Sequence, residues 1–592
     1  MAGEPPMHRV WTRIDIPLDA DANHANPYCD VTVWVDLEGP GFSKRVYGFW
    51  DGGRSFVVRV LATAPGIWRW TSGSEPADRG LSGKTGSFEA IPWSEAELQE
   101  NPNRRGMIRA TADGRGLEYA DGTPFFLLGD TWWSVPSFRF PLAERDEPKP
   151  LGPGATLNDY SHYRKAQGFN CIALIAAQPA WANDGHPPSI QLHDGTWVRA
   201  AWRQPGTDSA KDMHNEGGRP FEFPGKAPGY ENVFPDVDRI NPDYFKVVDR
   251  KIDYLNSIGF VPFVEAARRD TGQAWKRFYD WPLSFARYVQ YLFARLQANI
   301  AILSPIHYDY FQQTITAREY NEACNLVVEC WGKPPFGTLL SANPNPSTLV
   351  NFGGPGECKW LDLHQIGNVR EHHTYWYLTE IHRSEPKKPA LNGEPYYAGL
   401  HQLGTPYPLR VPPNSEADEF YVRSALYGSF LSGGFAGFIY GAEGIWQADV
   451  ESESLHKMWD AFQWRSADQV RHLRTFAFVR GTRFRALEPD AELVVPNKTG
   501  ETVSYCGWSY CAATTERDLF LLYFEKDAGE PAYVRGALHG ASYQPSWFDP
   551  REGVWRAPGA PIAVQPSSLL HLPERPDDHD WGLMLELIPD RV

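Results

Sequence analysis

The first part of the chain alternates hydrophobic and polar positions over short runs. Alternation is clear at Val31–Leu37, Ser55–Val60 and Gly66–Thr71, and Gly48–Gly53 between them reads as a turn. Successive side chains of a strand point to opposite faces, so a period of two predicts strands with one buried face. Several such strands punctuated by Gly and Pro predict a β-sandwich, which we place at residues 1–95.

From residue 96 to 474 the pattern changes to strands that alternate with helices. Its clearest unit begins at Asn241, a residue type that caps helices, followed by Pro242 at the first helical position. Apolar residues then recur every three or four positions until Gly259, which ends the helix. The apolar run Phe260–Val264 predicts the strand that comes next.

Eight apolar runs of strand length follow one another in this region, each separated from the next by a helix-length segment. Eight strand–helix units predict a TIM (β/α)8 barrel rather than an open sheet. No Gly-x-Gly-x-x-Gly follows any of them, which argues against a nucleotide-binding doubly wound fold. The eight runs are Phe125–Asp130, Gly168–Ile175, Phe260–Val264, Ile300–Leu303, Gly337–Ser341, Trp360–His364, Pro389–Leu391 and Gly437–Tyr440.

The C-terminal part returns to strands, at Leu519–Phe524, Ser546–Pro550 and Trp581–Leu587. They predict a second β-sandwich over residues 475–592. Within the barrel region, residues 177–240 lack periodicity and are rich in Gly, Pro, Trp and His. A loop of this length after the second strand is expected at the active-site face, where it contributes to function or serves as an insertion or a dimer contact.

Composition narrows the functional classes. The 592 residues carry a net charge of −16, so nucleic acid and anionic membrane are not expected partners. Aromatic residues make up 14% of the chain, including 23 Trp, which suits the apolar faces of sugars.

The seven Cys show no CxxC spacing, and no apolar run reaches the ~18 residues of a membrane span. Without a visible signal peptide, a cytoplasmic location is expected; whether the chain forms a homo-oligomer is open.

Two acids follow predicted strands and are flanked by aromatic residues, Asp309 after the fourth strand and Glu394 after the seventh. Strands four and seven face each other across a barrel, so the two carboxylates should meet above its axis. Such a pair can cleave a glycosidic bond, with Glu394 predicted as nucleophile and Asp309 as general acid/base. Desolvation beside Tyr308 and Tyr310 is expected to raise the pKa of Asp309. Either acid could instead cap a helix or pair with an arginine.

Other side chains at the strand ends are predicted to bind the substrate. For Glu265, an ion pair with Arg268 or Arg269 is the stronger expectation. A metal site of His307 and Asp309, with His364 as third ligand, is a weaker alternative, and neither metal nor cofactor is predicted. The predicted substrate-binding residues are Asp130, Trp132, Trp133, Trp181, Glu265, His307, Tyr310, Asn343, His364, Gln365, Tyr396, Tyr440, Glu443 and Trp446.

Several motifs resemble the apiosidase-like (β/α)8-barrel glycoside hydrolases. The opening strand Asp121–Trp132, Gly393–Pro395 and Tyr440–Trp446 are similar to strand ends of that family. Asn26–Tyr28 resembles the β-sandwich that often precedes these barrels, and Trp547–Gly553 the collagen-binding-like sandwich that often follows. The resemblance implies a retaining hydrolase with a catalytic Asp after strand four and Glu after strand seven.

The chain departs from the family pattern in two respects. His307-Tyr308 precede Asp309 where the family more often has glycines, and the secretion leader common in the family is not seen. The sequence therefore predicts a retaining glycoside hydrolase that acts on plant or microbial oligosaccharides through a covalent glycosyl-enzyme intermediate. The alternatives are a non-catalytic carbohydrate-binding protein on a degenerate barrel, or a metal-dependent hydrolase.

Overall fold

A computed structural model gives the architecture of the chain. It describes residues 5–143, 147–177, 189–199, 214–309, 315–368, 375–400, 411–497, 506–530 and 532–589. Over these residues, no helix combines the length and the apolar character needed to cross a bilayer.

The N-terminal part forms sheets, as its alternation predicts, and their strands are antiparallel except for β1, which pairs with β8 in parallel. A five-stranded sheet has the order β1-β8-β7-β3-β4, and a three-stranded sheet has the order β2-β6-β5. Strand β6 coincides with the predicted run Ser55–Val60. The elements are β1 Met7–Arg9, β2 Ile14–Asp19, α1 Pro27–Asp30, β3 Thr32–Gly39, β4 Phe42–Tyr47, β5 Phe49–Gly52, β6 Ser55–Val60, β7 Gly66–Glu75, β8 Thr85–Ile91, α2 Glu95–Glu100, β9 Ile108–Ala110, β10 Leu117–Tyr119 and β11 Pro124–Phe125.

The central part is a curled sheet of eight parallel strands in the order β20-β19-β18-β13-β12-β23-β22-β21. The strand residues are buried, as expected when helices cover a parallel sheet. The elements are β12 Leu127–Thr131, α3 Leu157–Ala166, β13 Cys171–Ile175, β14 Ser189–Gln191, β15 Trp197–Arg199, β16 Phe221–Glu222, β17 Asp236–Ile240, α4 Pro242–Ser257, β18 Val261–Glu265, α5 Gly272–Phe278, α6 Leu283–Leu296, β19 Ile302–Ser304, α7 Ala317–Trp331, β20 Leu339–Leu340, α8 Thr348–Phe352, β21 His364–Ile366, α9 Trp376–Arg383, β22 Ala390–Asn392, α10 Glu416–Leu431, β23 Gly437–Tyr440, α11 Met458–Ala461, α12 Ser466–Val470 and α13 His472–Ala477.

The two end strands of the curled sheet approach each other. Leu363, just before β21, donates its backbone N–H to the carbonyl oxygen of Leu340 in β20, at 3.1 Å. The sixth strand differs from its prediction, because it begins at His364 and Trp360 belongs to the approach segment, where its indole donates to Asn321 Oδ1 at 2.8 Å. The carboxyl ends of the eight strands lie along one edge of the sheet.

Helix α4 forms as its sequence predicts. The Asn241 side chain accepts a hydrogen bond from the backbone N–H of Asp243 at 3.1 Å, and Pro242 is the first helical residue. Gly259 follows the helix with a φ of 89°, a left-handed conformation that favours glycine. In the non-periodic region 177–240, the described residues contain two small antiparallel pairs, β14–β15 and β16–β17, which the sequence did not predict.

A buried ion-pair network joins the N-terminal sheets to the helices around the curled sheet. Arg59 of β6 donates to Asp249 of α4 at 2.8 Å, and Asp249 also contacts Arg295 of α6. Arg295 in turn pairs with Asp51 of β5 at 3.0 Å. The side chains of Arg59, Asp249 and Arg295 are at most 7% exposed, so loss of one partner would leave a buried charge uncompensated.

The C-terminal part consists of a seven-stranded sheet and a three-stranded sheet β26-β29-β33. In the larger sheet six strands follow the order β25-β27-β28-β34-β30-β31, and the seventh, β32, pairs with β30. Strands β28 and β34 coincide with the predicted runs Leu519–Phe524 and Trp581–Leu587. The elements are β24 Val479–Thr482, β25 Leu487–Pro489, β26 Val494–Val495, β27 Ser509–Thr514, β28 Leu519–Phe524, β29 Tyr533–Arg535, β30 Ser542–Asp549, β31 Val554–Trp555, β32 Ile562–Ala563, β33 Leu569–His571 and β34 Trp581–Leu587.

Candidate active site

Asp309 and Glu394 are brought together at the carboxyl edge of the curled sheet. Asp309 lies beyond the end of β19, and Glu394 lies just after β22. One carboxylate oxygen of each, together with a ring nitrogen of His307, lies within 4.8 Å of the other two. Both carboxylates are largely buried, with 7% and 6% of their residues exposed. Residues distant in the chain therefore form one compact cluster of titratable groups.

The backbone just beyond the strand ends positions the side chains of the cluster formed by His307, Asp309 and Glu394. Isolated parallel bridges align Arg268 with His307 and His307 with Asn343, so these three residues stand side by side above β18, β19 and β20. A Cβ atom at Gly393 would overlap the side-chain oxygen of Gln365. Glycine at this position thus allows the chain to pass close to Gln365 as it delivers Glu394.

Glu394 accepts hydrogen bonds from two neutral donors. Asn343 Nδ2 lies 3.1 Å from its Oε2, and the Tyr397 hydroxyl lies 3.2 Å from its Oε1. Asn343 was among the predicted site residues. Tyr397 was not among the predicted site residues. Of the two adjacent tyrosines, the sequence analysis predicts Tyr396 to bind the substrate. Donors to both oxygens fix the orientation of the carboxylate.

Asp309 is surrounded by cationic groups. Arg268 Nη2 lies 3.3 Å from its Oδ2, His307 Nε2 lies 3.3 Å from the same oxygen, and Arg269 contacts Oδ1. Burial on its own would raise the pKa of Asp309, but the two guanidinium groups and His307 outweigh it and hold the pKa well below its usual value. The expected upward shift is therefore wrong for the substrate-free protein.

His307 bridges two carboxylates. Its Nδ1 contacts Glu265, a fully buried residue at the end of β18, while its Nε2 faces Asp309. Burial lowers the pKa of His307, but attraction by Glu265 and Asp309 overcomes this and raises the pKa to about 10. The Trp133 ring packs edge-on against the imidazole at 4.7 Å. Glu265 thus pairs with His307, and the expectation of an ion pair with Arg268 or Arg269 is wrong.

Glu265→Gln is expected to lower the pKa of His307, because one of the two negative charges that hold its proton is removed. In the parent protein His307 should stay charged until near pH 10. It stabilises the folded state fully below ~6.5, the unfolded value, and this contribution is lost as pH rises through about 10. Imidazole ¹⁵N NMR across this range measures the shift.

His364 is an internal control for this titration. Burial lowers the pKa of His364 to about 3, so its ring should be neutral at every alkaline pH in both proteins. An unchanged His307 titration in Glu265→Gln, with His364 neutral as expected, would contradict the bridge between the two carboxylates.

Asp130 and Trp132, both predicted to bind substrate, are used in packing instead. Asp130 has no exposed surface; its Oδ2 accepts from Arg164 Nε at 2.6 Å and from the Trp132 indole at 2.7 Å. The Trp132 ring is also fully buried and stacks on Phe140 with 5.6 Å between centroids. Of the two tryptophans, only Trp133 contacts the cluster of His307, Asp309 and Glu394, through the His307 ring.

Tyr396 and Tyr440, also predicted to bind the substrate, use their hydroxyl groups in hydrogen bonds within the protein. The Tyr396 hydroxyl donates to Asp418 of α10 at 2.7 Å, and the Tyr440 hydroxyl shares a hydrogen bond with Ser466 at 3.0 Å. Both rings are buried. Their hydroxyl groups are thus used in contacts with Asp418 and Ser466, and contact of the two tyrosines with substrate stays a prediction.

Glu443 and Trp446 follow β23 and form a buried pair. The Trp446 indole donates to Glu443 Oε2 at 3.1 Å, and the two residues are 8% and 6% exposed. Trp446 belongs to the same apolar cluster as Trp133 and Tyr397. Trp181 and Tyr310, also predicted to bind substrate, lie outside the described residues.

The chain also holds a set of side chains that could bind a cation. It consists of His307, Asp309 and Glu394. His364 does not join it, because its Nδ1 is hydrogen-bonded to Thr348 Oγ1 at 2.8 Å. The guanidinium groups beside Asp309 would repel a metal ion, and His307 uses its Nδ1 on Glu265. The donor set therefore suits proton transfer better than metal binding.

Comparison with protein families matches three segments of the chain. The profile described as "Apiosidase-like, catalytic domain" matches residues 111–480. A domain of unknown function, DUF5060, matches residues 7–75. The family described as "Putative collagen-binding domain of a collagenase" matches residues 489–586. A comparison with curated proteins finds no match.

Solved structures share the fold at low sequence identity. A "putative glycoside hydrolase" from Bacteroides vulgatus is 16% identical, with 98% of this chain and 100% of that chain covered and a TM-score of 0.63. A glycoside hydrolase family 5 structure from the same organism is 17% identical over 82% of this chain and 94% of that one, with a TM-score of 0.55. Because the family profile spans more than half of the chain, the protein belongs to the apiosidase-like family and is a glycoside hydrolase-like enzyme.

Proposed function

We propose that the protein is a retaining glycoside hydrolase acting on plant or microbial oligosaccharides, with Glu394 as nucleophile and Asp309 as general acid/base. In this proposal the curled sheet closes into a (β/α)8 barrel over residues 96–474, flanked by β-sandwiches at 1–95 and 475–592. One observation carries it: oxygens of the two carboxylates lie within 4.8 Å of each other. Retaining enzymes place their carboxyl groups ~5–5.5 Å apart, whereas inverting enzymes need ~6.5–9.5 Å.

The different surroundings of the two acids support distinct roles. Glu394 is held by the neutral donors Asn343 and Tyr397, which orient it without neutralising its charge. Such a carboxylate can attack the anomeric carbon and leave as the sugar ester is hydrolysed. Asp309 sits in a charged network whose other members can adjust its proton affinity.

Asp309 must carry a proton when the leaving group departs, although in the substrate-free protein it is ionised. Binding of a sugar that separates Arg268 and Arg269 from Asp309 would remove the attraction that lowers its pKa. The nearby charge of Glu394 would then favour protonation of Asp309. After the glycosyl-enzyme forms, the charge of Glu394 is gone, and Asp309, which has given its proton to the leaving group, is the anion that activates water.

The ionised state of Asp309 also favours a second assignment, in which Asp309 is the nucleophile and Glu394 the acid. The two assignments predict different products when azide replaces the missing carboxylate. In a retaining enzyme, azide attacks the glycosyl-enzyme of an acid/base variant and gives a glycosyl azide of retained configuration. In a nucleophile variant, azide attacks the substrate directly and inverts the configuration.

Asp309→Ala is expected to keep measurable activity on 2,4-dinitrophenyl glycosides, because that leaving group needs no proton. Azide should accelerate it and give the retained glycosyl azide, whereas Glu394→Ala should give the inverted one. A panel of pentosides and hexosides, with product configuration read by ¹H NMR, tests both variants side by side. Inverted product from Asp309→Ala and retained product from Glu394→Ala would exchange the two roles.

A further inference from the structure

A cavity lies between helices α8, α9 and α10 and the start of the C-terminal part. Its volume is about 510 Å³, within the ~300–1,000 Å³ of small-molecule sites. Helix α9 and the end of α10 form one wall, and residues 489–492 of the C-terminal part form another. None of its lining residues belongs to the catalytic cluster.

The wall formed by α9 carries an exposed indole. Trp376 is 51% exposed and stacks on Tyr377 with 4.5 Å between ring centroids. Thr379, Glu380 and Arg383 follow at helical spacing and line the same cavity. A large aromatic surface left in water at the mouth of a cavity is a feature of binding sites rather than of cores.

Charged groups surround the indole. Glu380 and Arg383 lie on its own helix, and Asp490 and Glu492 lie on the opposite wall, where Asp490 Oδ1 also accepts the backbone N–H of Glu492 at 3.1 Å. An apolar ligand would bury these charges without hydrogen bonds. An anionic ligand would meet three carboxylates against one guanidinium. A neutral sugar fits these groups, because its C–H face can pack on the indole. Its hydroxyl groups can form hydrogen bonds with both the carboxylates and the guanidinium group.

We propose that this cavity is a second, non-catalytic carbohydrate-binding site that holds a neutral stretch of an oligosaccharide or polysaccharide chain. The choice of ligand class rests on the proposed glycosidase function. In a strand–helix unit the helix runs back from the carboxyl edge of the sheet. Trp376 begins α9 after β21, so the indole end of the cavity lies nearer to the edge that carries Glu394 than the Arg383 end does.

Native gels that contain soluble neutral polysaccharides test the site without turnover. The probes are arabinogalactan, xylan, galactomannan and mixed-linkage β-glucan, and the Glu394→Gln background prevents their degradation. We expect at least one polysaccharide to retard this protein. Trp376→Ala in the same background should weaken retardation about tenfold, and Trp376→Phe should keep most of it.

Ile67→Ala is the matched control, since Ile67 is 39% exposed on β7 and does not line the cavity; its mobility should equal that of the parent. Equal retardation of the parent and Trp376→Ala, at unchanged melting temperature, would overturn the proposal, as would retardation by none of the polysaccharides. Because the gel reports binding only, a failure of the catalytic assignment would appear separately, as turnover in Glu394→Gln.

Discussion

Glu394→Gln is expected to lower kcat by a factor on the order of 10⁴ or more with little change in melting temperature. Glutamine has nearly the same shape and can still accept a hydrogen bond from Asn343 or Tyr397. It cannot form the glycosyl ester, so the two-step route is closed. Initial rates on aryl glycosides, with a thermal melt of each protein, measure the effect.

Glu443→Gln is the matched control for this variant. Glu443 also follows a strand of the curled sheet, is as buried as Glu394, and accepts a hydrogen bond from Trp446. Its replacement should act on KM more than on kcat, because Glu443 is predicted to bind the substrate and forms no covalent bond to it. Equal losses of kcat in the two variants, or persistent turnover in Glu394→Gln, would remove Glu394 from the role of nucleophile.

Arg423→Met is expected to lower the free energy of unfolding by about 3–5 kcal/mol. Arg423 of α10 binds Asp580 through two hydrogen bonds of 2.8 Å, and neither side chain is more than 2% exposed. The Tyr523 hydroxyl adds a third bond to Asp580 at 2.9 Å. Methionine fills the space of the arginine stem but leaves Asp580 buried without its cation. Urea unfolding followed by tryptophan fluorescence measures the loss.

Two comparisons separate charge burial from general damage at this contact. The double variant Arg423→Met/Asp580→Leu should recover much of the stability, because both charges are then gone. Arg480→Met, which breaks the half-exposed pair with Glu586, should cost only about 0–1 kcal/mol. A double variant as unstable as Arg423→Met would show that packing, and not the unpaired carboxylate, causes the loss.

Local pattern predicted those elements whose causes are local. The alternation at Ser55–Val60 and the apolar runs Leu519–Phe524 and Trp581–Leu587 are strands with the predicted bounds. Helix α4 begins after the N-cap Asn241 and ends before Gly259, as expected. The sixth strand of the curled sheet begins later than predicted, because Trp360 is buried and bonded to Asn321 of α7 rather than paired within the sheet.

The site was less predictable, since side-chain direction and long-range pairing decide it. Of the adjacent residues Trp132 and Trp133, one enters the core and the other packs against His307. In the same way, the Tyr396 hydroxyl bonds to Asp418 of α10, whereas the Tyr397 hydroxyl bonds to Glu394. Composition and spacing do not indicate which neighbour contacts His307 or Glu394.

The charge state of Asp309 depends on partners from another strand. Arg268 and Arg269 follow β18, whereas Asp309 follows β19. The adjacent tyrosines alone predict that Asp309 is protonated. The cationic groups that contact Asp309 across the sheet edge lower its pKa and make it an anion.

The ion-pair network between β6, α4 and α6 has a consequence for engineering this enzyme. A recombinant catalytic segment that starts after β8 would retain Asp249 and Arg295 but lose Arg59 and Asp51, their counter-charges. We therefore expect shortened or chimeric versions to need replacements for Asp249 and Arg295 at the surface that truncation exposes, and the N-terminal sheets to be required for full stability.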